Sequence, residues 1–308
     1  AGSFGQQKRR LMYHEPVLAK ESIESLAIQK DGVYVDATFG GGGHSRLILN
    51  ELGEKGRLYA FDQDDDALAN LPDDERLVFN HHNFRYLQRF LRLHGVKQVD
   101  GIFADLGVSS HQLDEAERGF SYRFDADLDM RMNQAGERTA AEVLKTYSAE
   151  DLQRIFGEYG EVRNARSLAQ KIVQERERKP FKTIGDLLRA CEPLVRGHKP
   201  RYLAQVFQAL RIEVNEEVDA LKEFLEASLQ VLKPGGRLVV ISYHSIEDRL
   251  VKNFLKTGNV AGEVKSDFFG KIERPFDILY KGVMVPSAEE MAKNPRARSA
   301  KMRVGSLN

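Results

Sequence analysis

One stretch of sequence decides the fold of this chain: Val33-Tyr34-Val35-Asp36-Ala37-Thr38-Phe39-Gly40-Gly41-Gly42-Gly43-His44-Ser45. A β-branched and aromatic run ends at an acid, four glycines follow, and Ser45-Arg46-Leu47-Ile48-Leu49 begins a helical pattern. This order predicts a strand, a tight turn and a helix. Because such a turn places bare backbone beside a helix N-terminus, it predicts a small-molecule site in an open α/β sheet.

Strand and helix patterns alternate on both sides of this turn. Helical patterns at 44–52, 64–70 and 84–94 follow the first three predicted strands, and an apolar strand at 237–242 follows a helix at 216–232. Alternation at this spacing predicts an α/β fold with a doubly wound, mostly parallel sheet, and 276–285 with 300–304 predict a final antiparallel pair. The early strands are predicted at 33–39, 56–62, 76–82 and 99–105.

The alternation stops between about residues 111 and 204, where the patterns are helical and prolines interrupt them. We therefore expect an α/β domain split by an all-helical insertion. The predicted parts are 1–110, 111–206 and 207–308, with 1–10 disordered or vector-derived. Helices inside the insertion are predicted at 140–145, 149–157, 165–177 and 186–191.

Charge is distributed unevenly along a chain of 308 residues with a formal net charge of zero. Residues 162–211 contain 12 Lys and Arg against 4 Asp and Glu, and residues 293–303 contain 5 basic residues and no acid. Such blocks either bind a polyanion or form a solvated face, and charge alone leaves both open.

Cysteine content and hydropathy predict a cytoplasmic location. Cys191 is the only cysteine, so no disulfide can form within the chain, which is typical of a reducing compartment. No apolar run approaches the roughly 20 residues of a membrane span, and the start has no signal-peptide pattern.

The spacing of the glycines separates two classes of ligand. A dinucleotide site needs G-x-G-x-x-G, but the third position falls on Ser45 counting from Gly40 and on Arg46 counting from Gly41. The pattern Asp-x-x-x-Gly-x-Gly-Gly that starts at Asp36 is better suited to S-adenosylmethionine. Backbone groups that could meet its methionine portion belong to Gly42, Gly43 and His44.

Acids at the ends of two further strands are candidates for ligand binding. Asp62 ends the second strand and either accepts hydrogen bonds from ribose hydroxyls or caps the next helix, a role that Asp64 could also fill. Asp105 ends the fourth strand and either binds an exocyclic amine or caps backbone N–H groups of the turn to Ser110. Acceptors near an amine localise its lone pair and remove its proton, so Asp105 with Ser109 predicts amino-group methylation.

Two side chains could serve function or structure. Phe84 follows the third strand and either stacks on adenine or belongs to a helical core stripe with Leu87. His244 leaves the strand at 237–242 on the expected ligand edge, directly before Ser245, which is predicted to cap the next helix. The histidines have no metal-ligand spacing, so no metal site is predicted.

The chain resembles the bacterial 16S rRNA cytosine-N4 methyltransferase family, RsmH or MraW, from His14 to Arg303. The matching strings are His14-Glu15-Pro16-Val17-Leu18, the glycine turn, Asp105-Leu106-Gly107-Val108-Ser109-Ser110-His111-Gln112-Leu113-Asp114, Glu117-Arg118-Gly119-Phe120-Ser121, Leu128-Asp129-Met130-Arg131-Met132, Phe207-Gln208-Ala209-Leu210-Arg211-Ile212, His244-Ser245-Ile246-Glu247-Asp248-Arg249 and Asn294-Pro295-Arg296-Ala297-Arg298-Ser299. The chain departs from the family at Tyr243, where Phe is common, at His111, where Pro is common, and at Ile246, where Leu is common.

The resemblance implies a class I methyltransferase domain with a helical insertion and S-adenosylmethionine as methyl donor. It implies a cytidine in the decoding region of 16S rRNA as acceptor, within the small subunit or a late assembly intermediate. It does not decide between a monomer and a homodimer. By position, the implied cofactor contacts are Gly42, Gly43, His44, Asp62, Phe84, Asp105 and Gln112.

The leading hypothesis is therefore an rRNA methyltransferase that forms N4-methylcytidine, with Asp105, Ser109 and His244 as catalytic candidates. The target base would leave its RNA stack. The helical insertion at 111–206 would recognise the RNA, and this insertion and the basic block at 293–303 would bind phosphates. The alternative is a cofactor-binding small-subunit assembly factor or RNA chaperone whose methylation is incidental. An NAD-dependent dehydrogenase is disfavoured by the glycine spacing.

Overall fold

A seven-stranded sheet forms the centre of the protein. The computed structural model describes residues 15–308, so the prediction for residues 1–10 lies outside the described part. The strands are β1 Val33–Asp36, β2 Arg57–Phe61, β3 Leu77–Asn80, β4 Val99–Asp105, β5 Leu232–Ser242, β6 Phe276–Ile278 and β7 Lys301–Leu307. Their order in the sheet is β3-β2-β1-β4-β5-β7-β6. The first five strands in this order pair in parallel, and β7 is antiparallel to both β5 and β6. This pairing confirms the doubly wound, mostly parallel α/β fold and the final antiparallel pair.

Helices cover both faces of this sheet. The helices are α1 Ala19–Leu26, α2 Gly43–Glu51, α3 Leu87–Leu93, α4 Ser110–Asp114, α5 Ala140–Thr146, α6 Ala149–Glu158, α7 Ala165–Arg176, α8 Ile184–Cys191, α9 Lys199–Val214, α10 Glu217–Val231, α11 Ser245–Thr257 and α12 Ala288–Lys293. One apolar core lies between the sheet and α3, α10 and α11, and a second lies on the face of α1 and α2.

The helical part of the chain has its own apolar core, which buried residues between Phe120 and Val214 share. It is formed mainly by α5 to α9 and includes Cys191, which is buried. Helix α9 crosses the predicted boundary between residues 206 and 207, and its buried side chains as far as Val214 pack in the helical core. The division into 1–110, 111–206 and 207–308 remains a prediction.

Two local predictions differ from the structure because of proline. The helix predicted at 64–70 is a 3₁₀ turn at Asp65–Asn70, since Pro72 disfavours a helical conformation at Leu71, which is extended. Helix α9 was not predicted, because Pro200 was interpreted as a break. Pro200 instead lies in the first turn of α9, where a missing backbone N–H has no intrahelical partner to lose.

The strand order places the ligand edge of the sheet. The chain runs from β1 outward to β3 and then returns to β4 on the other side of β1, so the direction of winding reverses between β1 and β4. In doubly wound sheets the crevice beyond the carboxyl ends of the strands at such a point is the usual binding place. Among residues 15–308, no helix has the length and apolar character needed to cross a membrane.

Candidate active site

Three carboxylates meet at the carboxyl edge of the sheet. Asp36 is the last residue of β1, Asp105 is the last residue of β4, and Asp62 directly follows β2. The strands pair in parallel, with Asp36 opposite both Ala60 and Phe103. The three acids are therefore close enough for the Asp36 charge to raise the pKa of Asp105 and for the Asp62 charge to raise that of Asp36.

The glycine turn presents one open face and one closed face. Methyl groups added at Gly40 and Gly41 would meet no atom within 4 Å, whereas one at Gly43 would lie 2.6 Å from Cγ of Pro16. Gly42 starts α2 with a left-handed φ of 75°, a conformation that glycine adopts without strain. The turn therefore leaves bare backbone accessible beside the N-terminus of α2.

Asp62 holds the glycine turn in place. Its Oδ2 accepts a hydrogen bond from the backbone N–H of Gly40 at 2.7 Å, and its Oδ1 accepts one from Asp64 at 2.9 Å. Burial raises the pKa of Asp62 to about 6, although these backbone donors oppose the rise. Asp64 caps the 3₁₀ turn, as the sequence allowed. Asp62 nevertheless has a structural role of its own, because it accepts backbone hydrogen bonds from two loops. Its role as a ribose ligand stays a prediction.

Two buried polar side chains fix the strand–turn–helix unit from behind. Asp36 accepts hydrogen bonds from the Ser45 hydroxyl at 2.6 Å and the Thr38 N–H at 3.0 Å, and burial raises its pKa to about 6. His44 Nε2 donates to the Val17 carbonyl at 2.9 Å, and burial lowers the pKa of His44 to about 4. The imidazole is therefore neutral and already hydrogen-bonded to Val17, so the backbone of His44 is the part that is available to a ligand.

Asp105 is held by side chains and keeps one oxygen available. Its backbone N–H donates to Oγ1 of Thr38 at 2.7 Å, and its Oδ1 accepts a 2.6 Å hydrogen bond from the hydroxyl of Tyr243. Within residues 15–308, Oδ2 has no hydrogen-bond partner. Burial raises the pKa of Asp105 to about 7, and the charges of Asp36 and Glu247 add to the rise. A partly exposed carboxylate with a pKa near neutrality is suited to proton handling.

The loop after β4 is attached to the loop after β2. Ser109 and Gln112 form a reciprocal capping box at the start of α4, and Nε2 of Gln112 donates to Oδ2 of Asp64 at 2.7 Å. Arg118 binds the same Asp64 oxygen at 2.8 Å and also Asp66 at 2.7 Å. Burial alone would raise the pKa of Asp64, but Arg118 and Gln112 hold it below its usual value. Gln112 and Ser109 are thus hydrogen-bonded within the fold. The cofactor contact of Gln112 and the catalytic role of Ser109 remain predictions.

The last two candidate side chains lie in different settings. Phe84 is partly buried and meets Phe224 edge-on at 5.0 Å, which agrees with the core interpretation of its spacing. The predicted cap was wrong: His244, not Ser245, caps α11, because its Nδ1 accepts the N–H of Glu247 at 3.3 Å. Its Nε2 lies 3.1 Å from Oε1 of Glu247, so both ring nitrogens face that residue. The catalytic role of His244 stays a prediction.

A cavity with a volume of about 720 Å³ lies beside this edge. Gln63, Asn83, Arg131 and Asn215 are among its lining residues, and none of the predicted site residues is. In the part of the chain that the structure describes, no group of three or more His, Cys, Asp or Glu side chains is arranged to hold a metal ion.

Three residues of this site were missed from sequence. Asp64 and Arg118 form the link between the two loops, and Tyr243 bonds Asp105. The available signal was the departure from the family at Tyr243, since a tyrosine in place of phenylalanine adds one hydroxyl at a strand end. Whether that hydroxyl reaches Asp105 depends on the pairing of β4 with β5, which sequence did not provide.

Comparison with known proteins gives the family. The model of the MraW methylase family matches residues 11–307. A ribosomal RNA small subunit methyltransferase H from Bacteroides thetaiotaomicron is 56% identical over 97% of this chain and 98% of that protein. One from Parabacteroides distasonis is 56% identical over 95% of this chain and 96% of that protein. An rRNA methylase structure from Streptococcus thermophilus aligns at 12% identity over 94% of this chain and 93% of that one, but its TM-score of 0.41 is too low to argue from. The chain belongs to the MraW methylase family.

Proposed function

We propose that this protein transfers the methyl group of S-adenosylmethionine to the exocyclic N4 amine of a cytidine in 16S rRNA. The observation that carries the proposal is the free Oδ2 of Asp105 at the carboxyl edge, beside a glycine turn with an open face. Relatives 56% identical over nearly the whole chain are named small-subunit rRNA methyltransferases, which supports the same substrate here.

The residues at the edge fit S-adenosylmethionine. When bound, this cofactor supplies an electrophilic methyl group on a positively charged sulfur. The two carboxylates beside the glycine turn, Asp36 and Asp62, have pKa values raised to about 6 and favour a cationic ligand, because a nearby positive charge stabilises their ionised forms. The N-terminus of α2 suits the carboxylate of the methionine portion. The residues that would hold the cofactor are Gly42, Gly43, His44, Asp62 and Phe84, with Gln112 as support.

Asp105 would act on the acceptor amine. The lone pair of a cytosine N4 amine is delocalised into the ring, so the amine is a weak nucleophile. A carboxylate that accepts an N–H bond draws that lone pair back to nitrogen and can take the proton lost after methylation. With its pKa near 7, Asp105 is partly ionised at neutral pH and can both accept and release a proton.

RNA binding is supported by four exposed arginines that we name the arginine surface: Arg163, Arg166, Arg196 and Arg201. The start of α7 and the segment before α9 meet through a 2.9 Å hydrogen bond from Asn164 to the Leu194 carbonyl. No ion pair with an acid among residues 15–308 neutralises any of the four. Unpaired guanidinium groups grouped in this way are suited to the phosphates of RNA.

The arginine surface lies near the catalytic edge. Glu161, two residues before Arg163, accepts a 2.9 Å hydrogen bond from the Ser245 hydroxyl. Ser245 is two residues from Tyr243, which contacts Asp105. An RNA strand bound to the arginine surface would therefore pass close to the carboxylate that acts on its base.

The second basic block is less suited to phosphate than its composition predicts. Lys293 pairs with Glu289 at 2.7 Å, Arg296 with Asp114 at 2.5 Å, and Arg303 with Asp248 at 2.7 Å. Lys301 also lies 4.0 Å from Asp248. Since these charges are already paired, the proposed phosphate contacts rest on the arginine surface.

The proposed substrate is 16S rRNA within the small subunit or a late assembly intermediate, and a ribosomal substrate accords with a cytoplasmic location. The test incubates the purified protein and methyl-labelled S-adenosylmethionine with naked 16S rRNA or with small subunits lacking the modification. Nucleoside mass spectrometry of the rRNA should find N4-methylcytidine at one position, with many turnovers per enzyme. Cofactor binding without turnover on either substrate would contradict the proposal and favour the assembly-factor alternative.

The arginine surface is tested on the same substrates. Replacing Arg163 and Arg166 by Gln should weaken RNA binding and lower the slope of log affinity against log salt by about two, one for each lost phosphate contact. Replacement of Arg296 and Arg303 by Gln is the matched control, because those arginines are paired within the chain. An unchanged slope for the first variant would remove the arginine surface from the proposal.

A further inference from the structure

The ring and the hydroxyl of Tyr243 make separate contacts at the catalytic edge. Tyr243 follows β5 directly, and β5 pairs in parallel with β4 so that Ile241 lies opposite Asp105. The ring is partly buried against the core on the α1 and α2 face and lies against the loop after β4, where a methyl group added at Gly107 would be 3.6 Å from its Cδ2. The hydroxyl alone reaches Asp105, at 2.6 Å.

We infer that Tyr243 is a positioning residue for methyl transfer: its hydroxyl holds Oδ1 of Asp105 and thereby directs Oδ2 toward the amine of the acceptor base. This inference rests on the proposed function for the role of Oδ2. It extends that function by assigning a task to a hydroxyl that a phenylalanine at the same position would lack.

The carboxylate needs such a partner because its other neighbours oppose its ionised form. The charged groups that face Asp105 are Asp36 from β1 and Glu247 from α11, and both are acidic. Thr38 contacts only the backbone N–H of Asp105. Among the described side chains, Tyr243 is thus the one hydrogen-bond donor to the Asp105 carboxylate. A donor to the charged form favours ionisation and fixes the rotamer of the carboxylate.

The backbone of Tyr243 is fixed in turn. Its N–H donates to Oε2 of Glu247 at 3.1 Å, and Oε1 of Glu247 faces His244 at 3.1 Å. Burial would raise the pKa of Glu247, but His244 and Arg211 hold it below its usual value, so it remains an ionised acceptor. His244 thus acts through Glu247 on the placement of Tyr243.

The test compares the pH dependence of kcat, at saturating donor and RNA, for wild type and Tyr243→Phe. Removal of the hydroxyl should raise the pKa of Asp105 by about one unit, since the ionised form loses its donor. With a wild-type midpoint near pH 7, kcat of the variant should fall about fivefold at pH 7 and return close to wild type at pH 9. An unmoved midpoint would overturn the inference, whatever happens to the plateau.

Tyr147→Phe is the matched control. The Tyr147 hydroxyl also donates to a carboxylate, Oε1 of Glu213 at 2.5 Å, but in the helical core. This variant removes the same kind of bond at a distance from Asp105, so its pH profile should match that of wild type. A shift as large as that of Tyr243→Phe would mean that the effect is not specific to Asp105, and would also overturn the inference.

A second readout does not depend on turnover. Carbon-13 NMR of protein labelled at the aspartate carboxyl groups follows the titration of Asp105, with Asp105→Asn identifying its signal. Tyr243→Phe should move that midpoint upward by about one unit in the absence of any substrate. A shifted midpoint in a protein that does not methylate RNA would contradict the proposed function alone, whereas an unshifted midpoint in an active enzyme would contradict the inference alone.

Discussion

The ends of β2 and β4 each place an acid at the same edge of the sheet, but the two acids are held in different ways. Asp62 accepts two backbone N–H groups, one from each neighbouring loop. Asp105 accepts one side-chain hydroxyl and has an oxygen without a partner in the described structure. The first acid is part of the scaffold of the glycine turn, and the second has an oxygen available for a substrate.

This difference teaches that position at a strand end does not by itself decide what an acid does. Burial raises the pKa of both carboxyl groups, to about 6 for Asp62 and about 7 for Asp105. The two acids differ in their hydrogen-bond partners. Asp62 accepts backbone N–H groups and so stabilises the turn, whereas Asp105 accepts the side-chain hydroxyl of Tyr243, which a substitution can remove. Substitution at the two positions should therefore affect different measurements.

The largest expected effect is the loss of catalysis in Asp105→Asn. An amide cannot take the N4 proton and accepts more weakly, so kcat should fall about 10³-fold. Stopped assays with labelled donor measure kcat, and calorimetry should find the affinity for S-adenosylmethionine within about threefold of wild type.

Stability provides the control for this variant. A carboxyl group with a raised folded pKa contributes stability below its unfolded pKa of 3.8, and that contribution is lost as the pH rises through about 7. Asp105→Asn should therefore be at least as stable as wild type at pH 8, because the amide has no charge to bury. A variant that unfolds more readily at pH 8 would place Asp105 with Asp62 among the scaffold residues.

The next largest effect is expected from Asp62→Asn. The amide oxygen can accept only one of the two backbone N–H groups, and the amide nitrogen opposes the other. Affinity for S-adenosylmethionine should fall about 30-fold, and the free energy of unfolding by about 1–2 kcal/mol. Calorimetry and thermal melting measure these changes, and kcat at saturating donor should stay within a fewfold of wild type. Unchanged donor affinity would contradict a donor-site role for Asp62.

Sequence could predict the scaffold of this edge because its signals are local. The run from Val33 through the four glycines fixes a strand, a turn and a helix within about 20 residues, and strand ends at Asp62 and Asp105 follow from apolar patterns. Parallel pairing then brings those ends together without further information. The fold class and the presence of acids at one edge were therefore predictable.

The partners of these residues were not predictable because they are distant in the chain. Tyr243 lies 138 residues from Asp105, and Arg118 lies 54 residues from Asp64. The same limit applies to the second basic block, where Arg296 pairs with Asp114 across 182 residues. A count of charges along the sequence cannot tell paired from unpaired cations. It therefore predicted two phosphate-binding blocks, although only the first contains the unpaired guanidinium groups of the arginine surface.

The smallest effect we expect is a pH dependence that separates the two acids within one wild-type protein. The proposed contact of Asp62 with a ribose hydroxyl needs an ionised carboxylate, and the pKa of Asp62 is about 6. As the pH falls from 7.5 to 5, its ionised fraction drops from nearly all to about a tenth, so affinity for S-adenosylmethionine should weaken about tenfold. Calorimetry at each pH, in buffers of different ionisation enthalpy, should also detect proton release on binding near pH 6.

In the same protein, the pH dependence of kcat should have a higher midpoint than the pH dependence of donor affinity. With donor saturating at every pH, kcat should rise with a midpoint near 7, because Asp105 must ionise before it can accept the N4 proton. Asp36 also has a pKa of about 6 and is buried behind the turn, so its ionisation would contribute to the pH dependence of donor affinity. Asp62→Asn therefore serves as the control. Its donor affinity should depend less on pH than that of wild type. If affinity and kcat titrate together in wild type, the two acids act as one coupled group, and the distinction between a scaffold acid and a catalytic acid fails.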